Sequence, residues 1–222
     1  MRLTRTLRRD LEVLKTLDRK AQIQMIWDYY KLPIIGLLCV LLLGGLTLGI
    51  RLNAANTAMY AVFVNANENG DKAPLDALLA RSGIPMEGKT VDVSANHTLR
   101  YDDPANSYAD TVQMLAALFG IGDLDFFAAD EAVFRSYADK DAFLDLSLFI
   151  EREDLNHFSL WTQSGDGGRE KVSGLLLTAP SPLHDAGYYT DPVWIGIAAN
   201  AVNLDEAVAF VQQIVKERSD TP

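Results

Sequence analysis

Few side chains in this 222-residue chain stand at spacings that chemistry needs. The densest polar cluster is Asn65-Ala-Asn67-Glu-Asn69-Gly70, with Asp76 at the twelfth position counted from Asn65. Alternate oxygen-bearing side chains, a glycine at position six and an acid at twelve are the spacing of a calcium loop. Position one is Asn rather than Asp, however, and Pro74 and Asp76 belong to the helical pattern that follows. His97, His157 and His184 lie too far apart in sequence to share a zinc-ligand spacing. Gly165-Asp-Gly-Gly-Arg-Glu-Lys171 lacks the Gly-Lys-Ser/Thr of a phosphate-cradling loop. There is no G-x-S-x-G elbow, and the single cysteine, Cys39, sits inside an apolar run. These patterns give no catalytic residue, no metal site and no cofactor, so the expectation is a protein that binds rather than one that catalyses.

The elements that must position the polar residues follow from periodicity. Ala58–Val64 is aromatic and β-branched and reads as a strand, and Lys89–Leu99 alternates apolar with polar and reads as a second. Between them Pro74 suits the first turn of a helix running to about Arg81, closed by Gly83. Ser107 and Asp110 resemble a capping box that opens a helix carrying Val112, Met114, Leu115 and Leu118. Asp123–Ala128 reads as a short strand, Asp130 as the cap of a helix through Tyr137, and Phe143–Ser147 as a loop or short helix. Val172–Thr178 and Val193–Ala198 are further strands, with Gln163–Lys171 a glycine-rich surface loop before them. Asn203 and Glu206 cap a last amphipathic helix from Leu204 to about Lys216. Strands alternating with helices predict an α/β domain with a largely parallel sheet. In such sheets ligands sit beyond the carboxyl ends of the strands. That rule selects Asn65 and Asn67, the Tyr101–Asn106 turn with Asp103, Asn106 and Ser107, and Asp130; Trp161 and Trp194 are added as aromatic platforms.

Leu32–Ile50 holds nineteen residues without a charge. At about 1.5 Å per residue a helix of that length matches a bilayer's hydrocarbon core. Eight Lys/Arg against four acids precede it, and Arg51 alone follows before Lys72, so the positive-inside rule leaves the N-terminus in the cytoplasm. The run reads as an uncleaved signal-anchor, since its leader is long and carries acids. Four regions are expected: a basic amphipathic arm (1–31), a transmembrane helix (32–50), a linker (51–57) and an extracellular α/β domain (58–222). The arm's stripe of Leu3, Leu7, Leu11, Leu14, Leu17, Ala21 and Met25 would lie on membrane lipid or on a partner helix. Residues 52–222 carry 11 basic and 26 acidic residues, a net of −15 within the chain's −10. Nucleic acid wants a basic face, so it is excluded as a partner.

Asp123-Leu-Asp-Phe-Phe-Ala-Ala-Asp followed by Asp141-Ala-Phe-Leu-Asp-Leu-Ser resembles the extracellular solute-binding proteins of ABC importers. So do Ser173-Gly-Leu-Leu-Leu, Val193-Trp-Ile-Gly-Ile-Ala-Ala-Asn and Asn203-Leu-Asp-Glu-Ala-Val-Ala-Phe, which are similar to that family's late strand, its helix start and its return into the first lobe. Trp27-Asp-Tyr-Tyr-Lys before the apolar run resembles small membrane-anchored proteins of Gram-positive bacteria. Family members have two lobes, whereas only about 25 residues here separate Phe143 from the strand at Val172. The resemblance therefore implies a single lobe of the fold. It implies a membrane-tethered binding or interaction module, serving a transporter or envelope assembly and taking a small-molecule or peptide ligand. The alternative is a single-pass sensor that relays occupancy of the outer domain to the cytoplasmic arm.

Overall fold

The computed structural model describes residue 18 and residues 35–45, 57–84, 88–101, 109–165 and 168–219. The chain divides into two units, Met1–Ala54 and Ala55–Pro222. In the first, residues 35–45 form a helix whose every residue is exposed, Cys39 included. The rest of the apolar run and the amphipathic arm, Asp18 apart, lie outside the described residues. Among the described residues no helix is long and apolar enough to cross a membrane.

The second unit is built on a six-stranded sheet. Its strands in chain order are β1 (Thr57–Val64), β2 (Thr90–His97), β3 (Phe126–Ala129), β4 (Ser159–Ser164), β5 (Glu170–Leu177) and β6 (Val193–Ile197), and the spatial order is β2-β1-β3-β6-β5-β4. β1 pairs parallel with β2 and β3, while the β3–β6, β6–β5 and β5–β4 pairs are antiparallel. The domain is α/β, and its sheet is mixed rather than parallel throughout. The parallel half is the half with helical crossovers. Helix α1 (Ala73–Arg81) joins β1 to β2 and α2 (Ala109–Ile121) joins β2 to β3. The expected 163–171 loop is shorter than predicted: Gln163 and Ser164 pair with Lys171 and Glu170 as the last rungs of the β4–β5 hairpin, and a hairpin makes its strands antiparallel. α3 (Glu131–Ala138), a 3₁₀ turn (Leu146–Leu148) and α4 (Arg152–Leu155) precede β4; α5 (Pro182–Asp185) precedes β6; α6 (Leu204–Ser219) closes the domain.

Both faces of the central strands are covered, which is why β1, β3 and β6 are near-continuous apolar runs. On one face Met59, Phe63, Phe126, Ile195 and Ile197 pack under α1 and α6 with Leu78 and Phe210. On the other, Val62, Phe127 and Trp194 pack under α2 and α3 with Leu115 and Phe134. Phe134 and Phe143 stack with centroids 4.4 Å apart and planes 3° apart. Gly174 and Gly196, on adjacent strands, leave the room: a Cβ on Gly174 would fall 2.3 Å from Phe134 Cζ and 2.7 Å from the Ile195 carbonyl oxygen.

At the amino end of β3 the fully buried Asp125 accepts from the Tyr60 and Asn203 N–H groups and from Asn203 Nδ2, each at 2.8 Å. Asn203, one of the expected capping pair at α6, thus gives its amide nitrogen to Asp125. One carboxylate ties β1, β3 and the start of α6 together. Asp125→Ala leaves those donors without an acceptor and is expected to cost about 3 kcal/mol or more. Gly174→Ala is expected to cost about 1–3 kcal/mol through overpacking. Urea unfolding followed by circular dichroism measures both, and wild-type stability in either variant would contradict the account.

Candidate functional site

The sheet order places β2 and β3 on opposite sides of β1, so the crossovers diverge at the carboxyl end of β1. A crevice forms at such switch points, and small-molecule sites favour them. Here a cleft of about 830 Å³, open to solvent, lies at that place. Asn65 follows β1, Leu99–Tyr101 follow β2, and Asp130 follows β3. The segment Gly187–Pro192, which leads into β6, supplies the opposite wall.

Asn65 joins these pieces. It sits at φ +57°, a left-handed conformation that asparagine tolerates better than most residues and that turns the chain out of the sheet. Its N–H donates to the His97 carbonyl at 2.8 Å. Its side-chain oxygen accepts from the Leu99 N–H at 2.9 Å, and its Nδ2 donates to the Leu99 carbonyl at 2.8 Å and to Asp130 Oδ2. Asp130 meanwhile caps α3, accepting from the Val133 N–H at 3.1 Å through Oδ1. Asn67 ties the loop after β1 to the 187–192 wall. Its N–H donates to the Tyr188 carbonyl at 2.8 Å and its Nδ2 to the Gly187 carbonyl at 3.0 Å. Gly70 is required by the same junction, since a Cβ there would fall 2.3 Å from the Tyr188 ring.

Tyr189 locks the floor. Its hydroxyl lies 2.9 Å from the carbonyl oxygens of both Val64 and Ala128, the last turns of β1 and β3 before the cleft. Burial first, and the Asp130 carboxylate second, push its phenol well above the ordinary value, against a smaller pull from the bond to Val64. Tyr101 extends along the rim, with its hydroxyl 2.8 Å from Ser136 Oγ.

The structure thus brings Asn65, Asn67 and Asp130 to one cleft. Asp103, Asn106 and Ser107 lie outside the described residues. Trp161 and Trp194 are not part of the cleft lining. They pack edge to face at 5.1 Å in the aromatic cluster of Phe134, with the Arg135 guanidinium 5.5 Å from the Trp161 ring. Strand alternation sends Trp194 to the α3 face, so it fills the core instead of forming a platform. The calcium-loop spacing is also spent otherwise. The Asn67 side-chain oxygen accepts from the Asn69 N–H at 3.1 Å, and Asp76 Oδ1 accepts from the Val91 N–H at 2.6 Å. Among the described residues no group of three or more His, Cys, Asp or Glu could hold a metal ion.

Sequence reasoning missed the Gly187–Pro192 wall. Its signal was the Gly-Tyr-Tyr-Thr-Asp-Pro composition, a paired aromatic beside turn residues, ahead of a strand. Arg100, Asp130 and Asp191 are the charged residues among the described lining, and Asp130 and Asp191 make no ion pair with a described residue. Compared with known protein families, with curated proteins and with solved structures, the chain matches none of them.

Because the folded Tyr189 phenol stays neutral well above its usual 10.0 while the unfolded one ionises, its contribution is whole below that pH and is lost as pH rises through the folded value. Tyr189→Phe is expected to cost about 1–2 kcal/mol at neutral pH. Its stability should then fall less steeply than that of the wild type from about pH 9 to about pH 11. Tyr137 and Tyr188 are present in both proteins, so parallel slopes in urea titrations across that range would refute the role given to Tyr189.

Proposed function

We propose that the chain is a membrane-tethered binding or interaction module. In this reading Leu32–Ile50 threads the bilayer, the basic arm stays inside, and the acidic α/β domain presents its cleft outside, in the service of a transporter or envelope assembly. The observation that carries the reading is the convergence of Asn65, Asn67 and Asp130 with Tyr101 and Tyr189 on one cleft at the switch point of the sheet. Kinship with one lobe of a solute-binding protein rests on the resemblance of the segments from Asp123, Asp141, Ser173, Val193 and Asn203. The charge asymmetry and the nineteen-residue uncharged run support the topology.

The lone cysteine makes the topology testable. In a Cys39→Ser background, Thr4→Cys and Glu153→Cys place one thiol in the arm and one at an exposed position of the domain. A membrane-impermeant maleimide added to intact cells should label the Glu153→Cys protein and should reach the Thr4→Cys protein only after lysis. The reverse pattern, or recovery of both from the soluble fraction, sinks the tether. Thermal shift of the full chain against sugars, short peptides and metal salts then tests binding. A ligand that raises the midpoint should lose most of its effect in Asp191→Ala or Tyr101→Ala if it sits in the cleft.

A further inference from the structure

A second cavity, of about 380 Å³, shares no residue with the cleft. Its volume falls within the range of about 300–1,000 Å³ typical of small-ligand sites. Phe158, Leu177 and Ile214 give it an apolar floor at the join of β5 with α6. Ser159, at the start of edge strand β4, and the turn from Thr178 to Pro182 form its sides.

The wall contributed by the end of α6 carries Arg218. Its Nη1 donates to the Pro180 carbonyl and its Nη2 to Thr178 Oγ1, both at 3.2 Å. Those acceptors are neutral, and among the described residues Arg218 makes no ion pair. A guanidinium has five N–H donors in a planar fork suited to a carboxylate, so two neutral bonds leave most of that capacity unused. The adjacent acid does not compete for it. Glu217 Oε1 is held by Arg81 at 2.9 Å and by Gln213 Nε2 at 3.0 Å. A positioned cation over an apolar floor, in a domain whose net charge is strongly negative, is a local feature that acidity for solubility does not explain.

We propose that this cavity binds a small carboxylic acid with an apolar body, its carboxylate on Arg218 and its body over Phe158, Leu177 and Ile214. Two sources share that chemistry, a simple organic acid and a free amino acid. The exposed Asp185 on the rim would meet the ammonium of the second.

Isothermal titration of the purified full-length chain with phenylacetate, phenylacetamide and L-phenylalanine tests it. Phenylacetate should bind saturably, and the neutral amide should bind at least about tenfold more weakly. Arg218→Met keeps the apolar stem but should lose phenylacetate binding by a similar factor. Because Arg218 also holds the end of α6, Ser159→Phe is the second variant. It fills the cavity from an exposed position and should abolish binding with Arg218 intact. Asp191→Ala, in the other cleft, should leave the titration unchanged. Tighter binding of L-phenylalanine than of phenylacetate assigns the ammonium to Asp185, and weaker binding makes the ligand a simple acid; either supports the site. No saturable heat with phenylacetate or L-phenylalanine, equal affinity for acid and amide, or wild-type affinity in both site variants overturns it.

Discussion

The carboxyl end of β1 must leave the sheet without stranding the polar groups of three neighbouring strands, and Asn65 meets that requirement. A single amide side chain accepts from and donates to the backbone after β2 and donates to the cap of α3 after β3. Its left-handed backbone throws the chain toward Asn67 and the 187–192 wall. An aspartate could accept from Leu99 but could not donate to Asp130, and would set two carboxylates against each other. A glycine would keep the turn and lose the bridge. The floor of the cleft is therefore a consequence of how the parallel half of the sheet ends, and its polarity is fixed before any ligand enters.

Asp125 does the corresponding job at the amino end of β3. It is fully buried, and both carboxylate oxygens take N–H donors, so the charge is compensated by hydrogen bonds in place of a cation. With Asp125 clamping β1 to β3 and α6 at one end and Asn65 and Tyr189 joining β1 to β3 at the other, the central strands are held at both ends. The stacked Phe134 and Phe143 over Gly174 and Gly196 then fix the distance from α3 to β5 and β6. The wall residues of the cleft are carried on a frame with little freedom to slide.

The parallel half of this architecture was legible from the sequence because it obeys local rules. β1, α1, β2, α3 and α6 carry apolar periodicity with capping or turn residues at their ends, and each lies within a few residues of its expected bounds. In the antiparallel half β5 and β6 were legible as strands, but β4 and the antiparallel pairing were not, since Ser159–Ser164 holds a single β-branched residue and becomes a strand only by pairing with β5. Propensity yields there to tertiary context. The candidate site divides the same way. Asn65, Asn67 and Asp130 were found by the rule that ligands lie beyond strand ends, a rule that needs only the order of elements. Trp194 was misplaced because that rule does not say which face of a strand a side chain takes, and in β6 the alternation sends it to the core. The Tyr188-Tyr189 wall was missed because it reaches the cleft through a connection whose course depends on β6 running antiparallel.

That course bears on what the cleft can do. Sites that hold small ligands tightly bury about 70–90% of the ligand surface. The described residues line a cleft that stays open to solvent, with Asn65 and Asn67 largely engaged in holding its shape. The polar side chains that line it beyond those two are few: the arginine and tyrosine at 100 and 101, the threonine and aspartate at 190 and 191, and the outer side of Asp130. A ligand held by those alone keeps much of its hydration, and its affinity is correspondingly limited. The free energy missing from such a site is supplied when a second surface closes over it, whether from another lobe or from another protein. A domain with a pre-shaped, half-walled cleft is therefore better suited to act within an assembly than as a solitary trap for solute, which is the part given to it in the function proposed above.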